Sequence, residues 1–254
     1  MDIEPVPDIP ALVIRGRKSW VCIADLHLGI EAELRASGFN IPNQTKKVTS
    51  VIEALEGYAD RMLILGDVKH RITHATPRED KDVRSVMDTI MRLFQAVVIT
   101  PGNHDGGLRG IVPEGCIVTP LTGTVVEGAG TLHGHVWPSE EVMSAAKVIT
   151  AHIHPSILLE DSLGGRANEK CWMRAAMRKE KARERYRGCP DEMIVVPAFN
   201  PLITGTPINV PGGGRLSPLL RNGFADDDTV TAYLLNGTNL GRPSALSPRK
   251  RASR

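Results

Sequence analysis

The stretch MLILGDVKH (residues 62–70) passes from four consecutive apolar residues into a glycine, an aspartate, and a histidine three positions after that aspartate. An apolar run of this length closed by glycine reads as a strand buried on both faces; it is too short for a helix and far too short to cross a bilayer. Polar residues that follow such a strand stand at its carboxyl end, where open α/β sheets build their crevices. The same pattern recurs outward on both sides. Val21–Ala24 leads into Asp25-Leu26-His27, and Val97–Ile99 leads through Thr100-Pro101 into Gly102-Asn103-His104-Asp105. Thr131-Leu132 leads into His133-Gly134-His135, and Val148–Ala151 into His152-Ile153-His154. Seven of the eight histidines fall in these clusters, and only His74 stands apart. Within Asp-x-His and His-x-His the two polar side chains share one face of an extended segment, so both can reach one point. Buried imidazoles and carboxylates gathered in this way are costly unless a cation satisfies them, so the pattern points to a metal site.

Between these strands the spacing changes to that of helices. Thr45–Tyr58 sets Val48, Val51, Ile52 and Leu55 on one face. Pro77–Gln95 opens with proline and two acids and carries Val83, Val86, Met87, Ile90, Met91 and Phe94 inward. Ser139 has the character of an N-cap for Glu140–Ala146. After residue 155 the segments Ile157–Leu159, Lys170–Met173, Met193–Val196 and Val230–Leu235 read as strands with little helix between them. A βαβαβ beginning followed by mainly β structure predicts two face-to-face mixed sheets flanked by helices, one α/β domain over residues 1–241. The remainder, 242–254, is rich in Pro, Ser and basic residues and reads as a disordered tail.

The chain has 254 residues, 41% of them hydrophobic and 24% charged, which suits a globular protein with a proper core. Four scattered cysteines without CxxC spacing, and an acidic, Pro-containing N-terminus unlike a signal peptide, lead to the expectation of a cytoplasmic protein with no membrane span. The net charge of +2 is unevenly spread. Residues 174–187 carry seven Lys/Arg against two Glu, and 242–254 carry five Lys/Arg and no acid, leaving about −8 for the rest. The two basic stretches are either solvated surface or a contact for a polyanion such as nucleic acid.

In order, DLH, GDVKH, GNHD, HGH and AHIH resemble the calcineurin-like metallophosphoesterase family, whose pattern is D-x-H, GD, GNH-D/E, H and GH-x-H. IVVPAFNPLITG (194–205) and YLLNGTNLG (233–241) resemble its archaeal and DNA-ligase-associated branch. The resemblance implies a four-layer αββα sandwich and hydrolysis of phosphate esters, with diesters expected, whether nucleotide or nucleic acid. It further implies that Asp25, His27 and His154 hold one divalent ion, that Asn103, His133 and His152 hold the other, and that Asp67 bridges them. His104 would protonate the leaving oxygen, with Asp105 orienting its ring. Two departures stand out. Ala151 replaces a glycine before the last His pair, and His70 stands where an acid or Asn is frequent. His70 either contacts substrate phosphate or hydrogen-bonds behind the ligands, and His135 is open in the same way.

Two cations roughly 3.5–4 Å apart polarise phosphoryl oxygens and lower the pKa of a bridging water, which accounts for these residue types. Imidazole, carboxylate and amide ligands without thiolate favour manganese, with iron, zinc or nickel as alternatives. No P-loop or GxSxG elbow is present. A non-catalytic scaffold on the same fold is the competing reading, but such proteins tend to lose ligands, and here the full set stands.

Overall fold

The computed structural model describes residues 1–73 and 75–246; His74 and the tail from 247 onward lie outside the described residues. Its N-terminal half builds a six-stranded sheet in chain order. The strands are β1 (Asp2–Pro5), β2 (Leu12–Arg15), β3 (Ser19–Ala24), β4 (Arg61–Leu65), β5 (Ala96–Thr100) and β6 (Ile117–Val118). The first three pair antiparallel and β3 to β6 pair parallel. Helices α1 (Ile30–Ala36), α2 (Thr45–Glu53) and α3 (Pro77–Leu93) make the crossovers.

The second half builds a nine-stranded mixed sheet. It takes in β7 (Thr124–Val126), β8 (Ala129–Thr131), β9 (Lys147–Thr150), β10 (Pro155–Glu160), β11 (Arg166–Ala176), β12 (Glu192–Val195), β13 (Thr206–Pro207), β14 (Thr231–Leu234) and β15 (Asn239–Gly241). The short helices α4 (Glu140–Met143), α5 (Lys179–Arg183) and α6 (Pro218–Arg221) flank it. Pro243–Leu246, inside the segment read as a disordered tail, form a 3-10 turn whose last carbonyl accepts a 2.8 Å hydrogen bond from Asn209.

Alternation along the strands sorts these elements into four layers. In β3, Val21 and Ile23 pack with Val48, Ile52 and Leu55 from α2 and just beyond it, and with Val83, Val86, Met87 and Ile90 of α3. Cys22 and Ala24 point the other way, into a cluster with Leu63, Leu65, Ile149, Ile194 and Val196 that joins the two sheets. On the far side Val148, Met193 and Val195 pack with α4 and with Ala182 and Leu219. Each fully buried aliphatic side chain contributes about 1.5–3 kcal/mol. Helix α3 is tied at its start by a capping box in which Thr76 and Glu79 exchange side-chain-to-backbone bonds. No helix among the described residues is long and apolar enough to cross a membrane.

This layering brings the carboxyl ends of β3, β4, β5, β8 and β9 to one rim, and the polar clusters follow those strands directly.

Candidate metal centre

Five of the site residues have left-handed backbones: Asp25 (φ 57°), His27 (40°), Asp67 (50°), His152 (71°) and His154 (45°). Non-glycine residues seldom adopt this region, and here it turns the side chains sharply inward off the strand ends. Two glycines allow the β4 and β5 loops to meet. A Cβ on Gly66 would stand 2.6 Å from the Gly102 amide, and one on Gly102 would stand 2.1 Å from Asp67 Oδ1.

The inward side chains form two groups with Asp67 in both: Asp25, His27, Asp67 and His154, and Asp67, His133 and His152. Within each group the nitrogen and oxygen atoms lie within 4.8 Å of one another. His27 Nε2 and His133 Nε2 approach Asp67 Oδ2 at 3.5 and 3.4 Å, and His154 Nε2 lies 3.3 Å from Asp25 Oδ1. His133 Nε2 is also 3.3 Å from Asn103 Oδ1 and 3.1 Å from His152 Nδ1. Ligand atoms each held ~2.0–2.2 Å from one cation stand about 3–3.5 Å apart, which is the spacing seen here.

A second observation tests the fit. Among the described residues, Asp25 Oδ1 and Oδ2, His27 Nε2, His135 Nδ1 and His154 Nε2 are buried without a hydrogen-bond partner. The 3.3 Å approach of His154 to Asp25 is an electrostatic contact that lacks hydrogen-bond geometry. Unsatisfied polar atoms are rare in native interiors, and their concentration at one point fits coordination of a cation.

Charge supports the same conclusion. Burial holds the His27, His135 and His152 rings neutral, with pKa values pushed down to about 3, about 4 and about 4, the form that offers a lone pair. Burial disfavours charge on His133 too, yet the hydrogen bond and charge of Asp67, with Asp25 behind, push its pKa up to about 9. Carboxylates that draw a proton onto a buried ring will also draw a metal ion. His133 Nδ1 donates to the Leu65 carbonyl at 2.8 Å, which fixes Nε2 toward the cluster.

His104 and His70 stand at the edge. The His104 ring donates from Nδ1 to the His70 carbonyl and packs against His27 with ring centroids 4.8 Å apart. His70 Nδ1 is 3.3 Å from His27 Nδ1, and its Nε2 is 2.9 Å from Glu33 Oε2. Both rings line a cavity of about 500 Å³ with Gly29, Ala32 and Arg71, whereas a larger one of about 710 Å³ lies behind α2. His135 sits beside His133 and His152, with centroids 5.3 and 5.9 Å away.

Asp105 departs from expectation. It makes no hydrogen bond to the His104 ring among the described residues. Its Oδ1 accepts from the Val68 and Lys69 amides at 2.9 and 3.4 Å, and its Oδ2 from Gly102 at 2.8 Å. It therefore latches the β4 and β5 loops together, and the His70 carbonyl orients His104 instead. A carboxylate one residue along the chain is turned away from its neighbour's ring and accepts from three backbone amides instead.

The calcineurin-like phosphoesterase profile matches residues 20–183, which contain every one of these side chains. The chain belongs to the calcineurin-like phosphoesterase family. It is accordingly a metal-dependent phosphoesterase. Nuclease MPE of Pseudomonas putida has a similar fold, with a TM-score of 0.56 at 17% identity, covering 94% of this chain and all of that one. YfcE, a phosphoesterase from E. coli, aligns with a TM-score of 0.40 at 18% identity over 87% of this chain and 96% of its own. No curated protein matches the chain. The matched region of this phosphoesterase ends before residues 194–205 and 233–241, on which the resemblance to the ligase-associated branch rests.

Those later residues nonetheless reach the site. Fully buried Asn200 donates from Nδ2 to the Leu26 carbonyl at 2.6 Å, and the amides of Phe199 and Asn200 donate to Ala24 and Asp25. Lys170 Nζ holds the Ala198 and Asn200 carbonyls at 2.6 Å each, and burial pushes its pKa down to about 8. Neither Asn200 nor Lys170 is among the site residues read from the sequence, and the only local sign of Lys170 is a lysine in an otherwise strand-like run. Asn200→Ala should loosen the Asp25–His27 loop and weaken metal affinity about 10–100-fold. Calorimetric titration with Mn²⁺ checks this, and an unchanged affinity would show that the strut does not position the ligands.

Proposed function

We propose that this phosphoesterase hydrolyses phosphodiesters with two divalent ions bound. Asp25, His27 and His154 would hold one ion, Asn103, His133 and His152 the other, and Asp67 both. The observation that carries the reading is that Asp67 belongs to both groups of ligand atoms. When bound, such ions supply Lewis acidity toward the phosphoryl oxygens and lower the pKa of water. Nitrogen and oxygen donors without thiolate favour manganese, with iron, zinc or nickel also suited.

The chain's own residues supply the rest. With Nδ1–H committed to the His70 carbonyl, His104 keeps Nε2 to deliver a proton to the leaving oxygen. The cavity beside it gives the leaving group room. Glu33, 2.9 Å from His70, sets a carboxylate at that rim. A monoester dianion would meet more repulsion there than a singly charged diester, which favours the diester. His70 and His135 are the candidate substrate contacts.

Bis-p-nitrophenyl phosphate and p-nitrophenyl phosphate give the test. Diester turnover should exceed monoester turnover, stop in chelator and return with Mn²⁺, with about two ions per chain by metal analysis. Turnover surviving thorough demetallation would sink the metal mechanism, one ion per chain would sink the paired site, and a monoester preference would sink the diester assignment.

A further inference from the structure

The basic run 174–187 holds seven Lys/Arg, and four of them have acidic partners. Arg174 pairs with Glu192 at 2.6 Å, Arg178 with Asp226 at 2.9 Å, Lys179 with Asp191 at 3.0 Å and Lys181 with Glu184 at 2.6 Å. Arg183, Arg185 and Arg187 are exposed and make no ion pair among the described residues. They occupy the end of α5 and the turn after it. Three guanidinium groups so close along the chain repel one another, a cost that a polyanion would remove.

This turn is fastened to the segment that leaves the metal centre. The Arg185 guanidinium carbon lies 4.3 Å over the Trp137 ring, which is braced edge-on by Phe224 with centroids 5.3 Å apart. Tyr186 Oη donates to the Pro138 carbonyl at 3.1 Å. The Arg187 and Gly188 amides donate to Glu140 Oε1 at 2.7 and 3.1 Å. Trp137 follows His133 by only four residues, so at about 3.3–3.6 Å per residue their Cα atoms are at most ~14 Å apart. Trp137 and Tyr186 pack in the apolar cluster that also holds Leu132 and Ile153, the chain neighbours of His133, His152 and His154, so the turn is anchored on the outer face of the sheet whose rim carries those ligands. Stacking on indole uses the face of the guanidinium and leaves its N–H edge for the bidentate geometry that phosphate favours.

We infer that Arg183, Arg185 and Arg187 form a lip that grips the phosphate backbone of a nucleic acid strand whose scissile phosphate lies at the metal centre. The inference rests on the phosphodiesterase reading above and names its substrate class. Trp137 is half-buried beneath Arg185 and is no platform for a base, so the lip reads backbone charge and not sequence.

The test compares the Mn²⁺-loaded full chain with its Arg183→Gln/Arg185→Gln/Arg187→Gln variant. The probes are a single-stranded oligonucleotide and bis-p-nitrophenyl phosphate. The ratio of kcat/KM for oligonucleotide to that for the small diester should fall at least tenfold. The log–log salt dependence of oligonucleotide binding should become shallower by about 2, since each phosphate that an arginine neutralises adds ~0.7 to the slope. Because Arg185 packs on Trp137, the Arg183→Gln/Arg187→Gln variant, expected to flatten the slope by about 1.4, serves if the triple variant fails to fold. An unchanged ratio and slope overturn the inference. So does a wild-type enzyme that cleaves the small diester but neither binds nor cleaves the oligonucleotide. Cleavage of neither probe overturns the phosphodiesterase reading itself.

Discussion

Asp67→Asn is expected to reduce diester turnover by more than the 10²–10⁴-fold that a positioned acid–base group contributes. The change keeps the shape of the side chain and the acceptor that the His104 amide reaches at 2.9 Å. It removes the charge that both groups of ligands share. Folding should survive, because the apolar clusters that join the layers do not include Asp67. Metal analysis of the purified variant should show fewer than two ions per chain, and thermal unfolding in chelator should stay cooperative with a lower midpoint, because buried His133 loses its carboxylate partner. A variant that retains both ions and full turnover would mean that Asp67 does not bridge.

His104→Asn tests the opposite property, chemistry without coordination. With Nδ1 held by a carbonyl, only Nε2 is left to carry a proton to substrate. The variant should keep both ions and lose about 10²–10⁴-fold in turnover of a diester with a poor leaving group. An activated p-nitrophenolate leaving group needs less protonation and should lose less. Since His104 also falls in a potential ligand group with His27 and His70, loss of an ion would reassign it as a ligand. Metal content and rates on one activated and one unactivated diester, measured on the same preparation, separate these outcomes.

The strand-end clusters were legible because two local rules coincide in them: an uninterrupted apolar run marks the strand, and ligand-type residues follow it. Helix α3 was legible almost to the residue, since Pro77, the acids at 79 and 80 and the stripe from Val83 to Ile90 are local signals. Helix α1 was not, because Ile30–Ala36 starts without a side-chain cap behind a glycine at φ 96° and carries three charges in seven residues. The β1–β2 hairpin was missed because β1 is a mostly exposed edge strand that ends in proline. Within the site, the ligand types could be read but their supports could not. Asn200 grips a carbonyl 174 residues away, and Asp105 spends its carboxylate on amides of another loop. Neither interaction leaves a trace in local spacing, because both depend on how two loops happen to cross.

The left-handed backbones at Asp25, His27, Asp67, His152 and His154 have a consequence for anyone who evolves this protein. Each such conformation costs on the order of 1 kcal/mol for a residue with a side chain. Selection for heat resistance alone, with no demand for turnover, would therefore reward glycine at these five positions and dismantle the centre while the sandwich grew firmer. Thermostabilising libraries should hold all five codons fixed and look for their gains in the two outer helical layers.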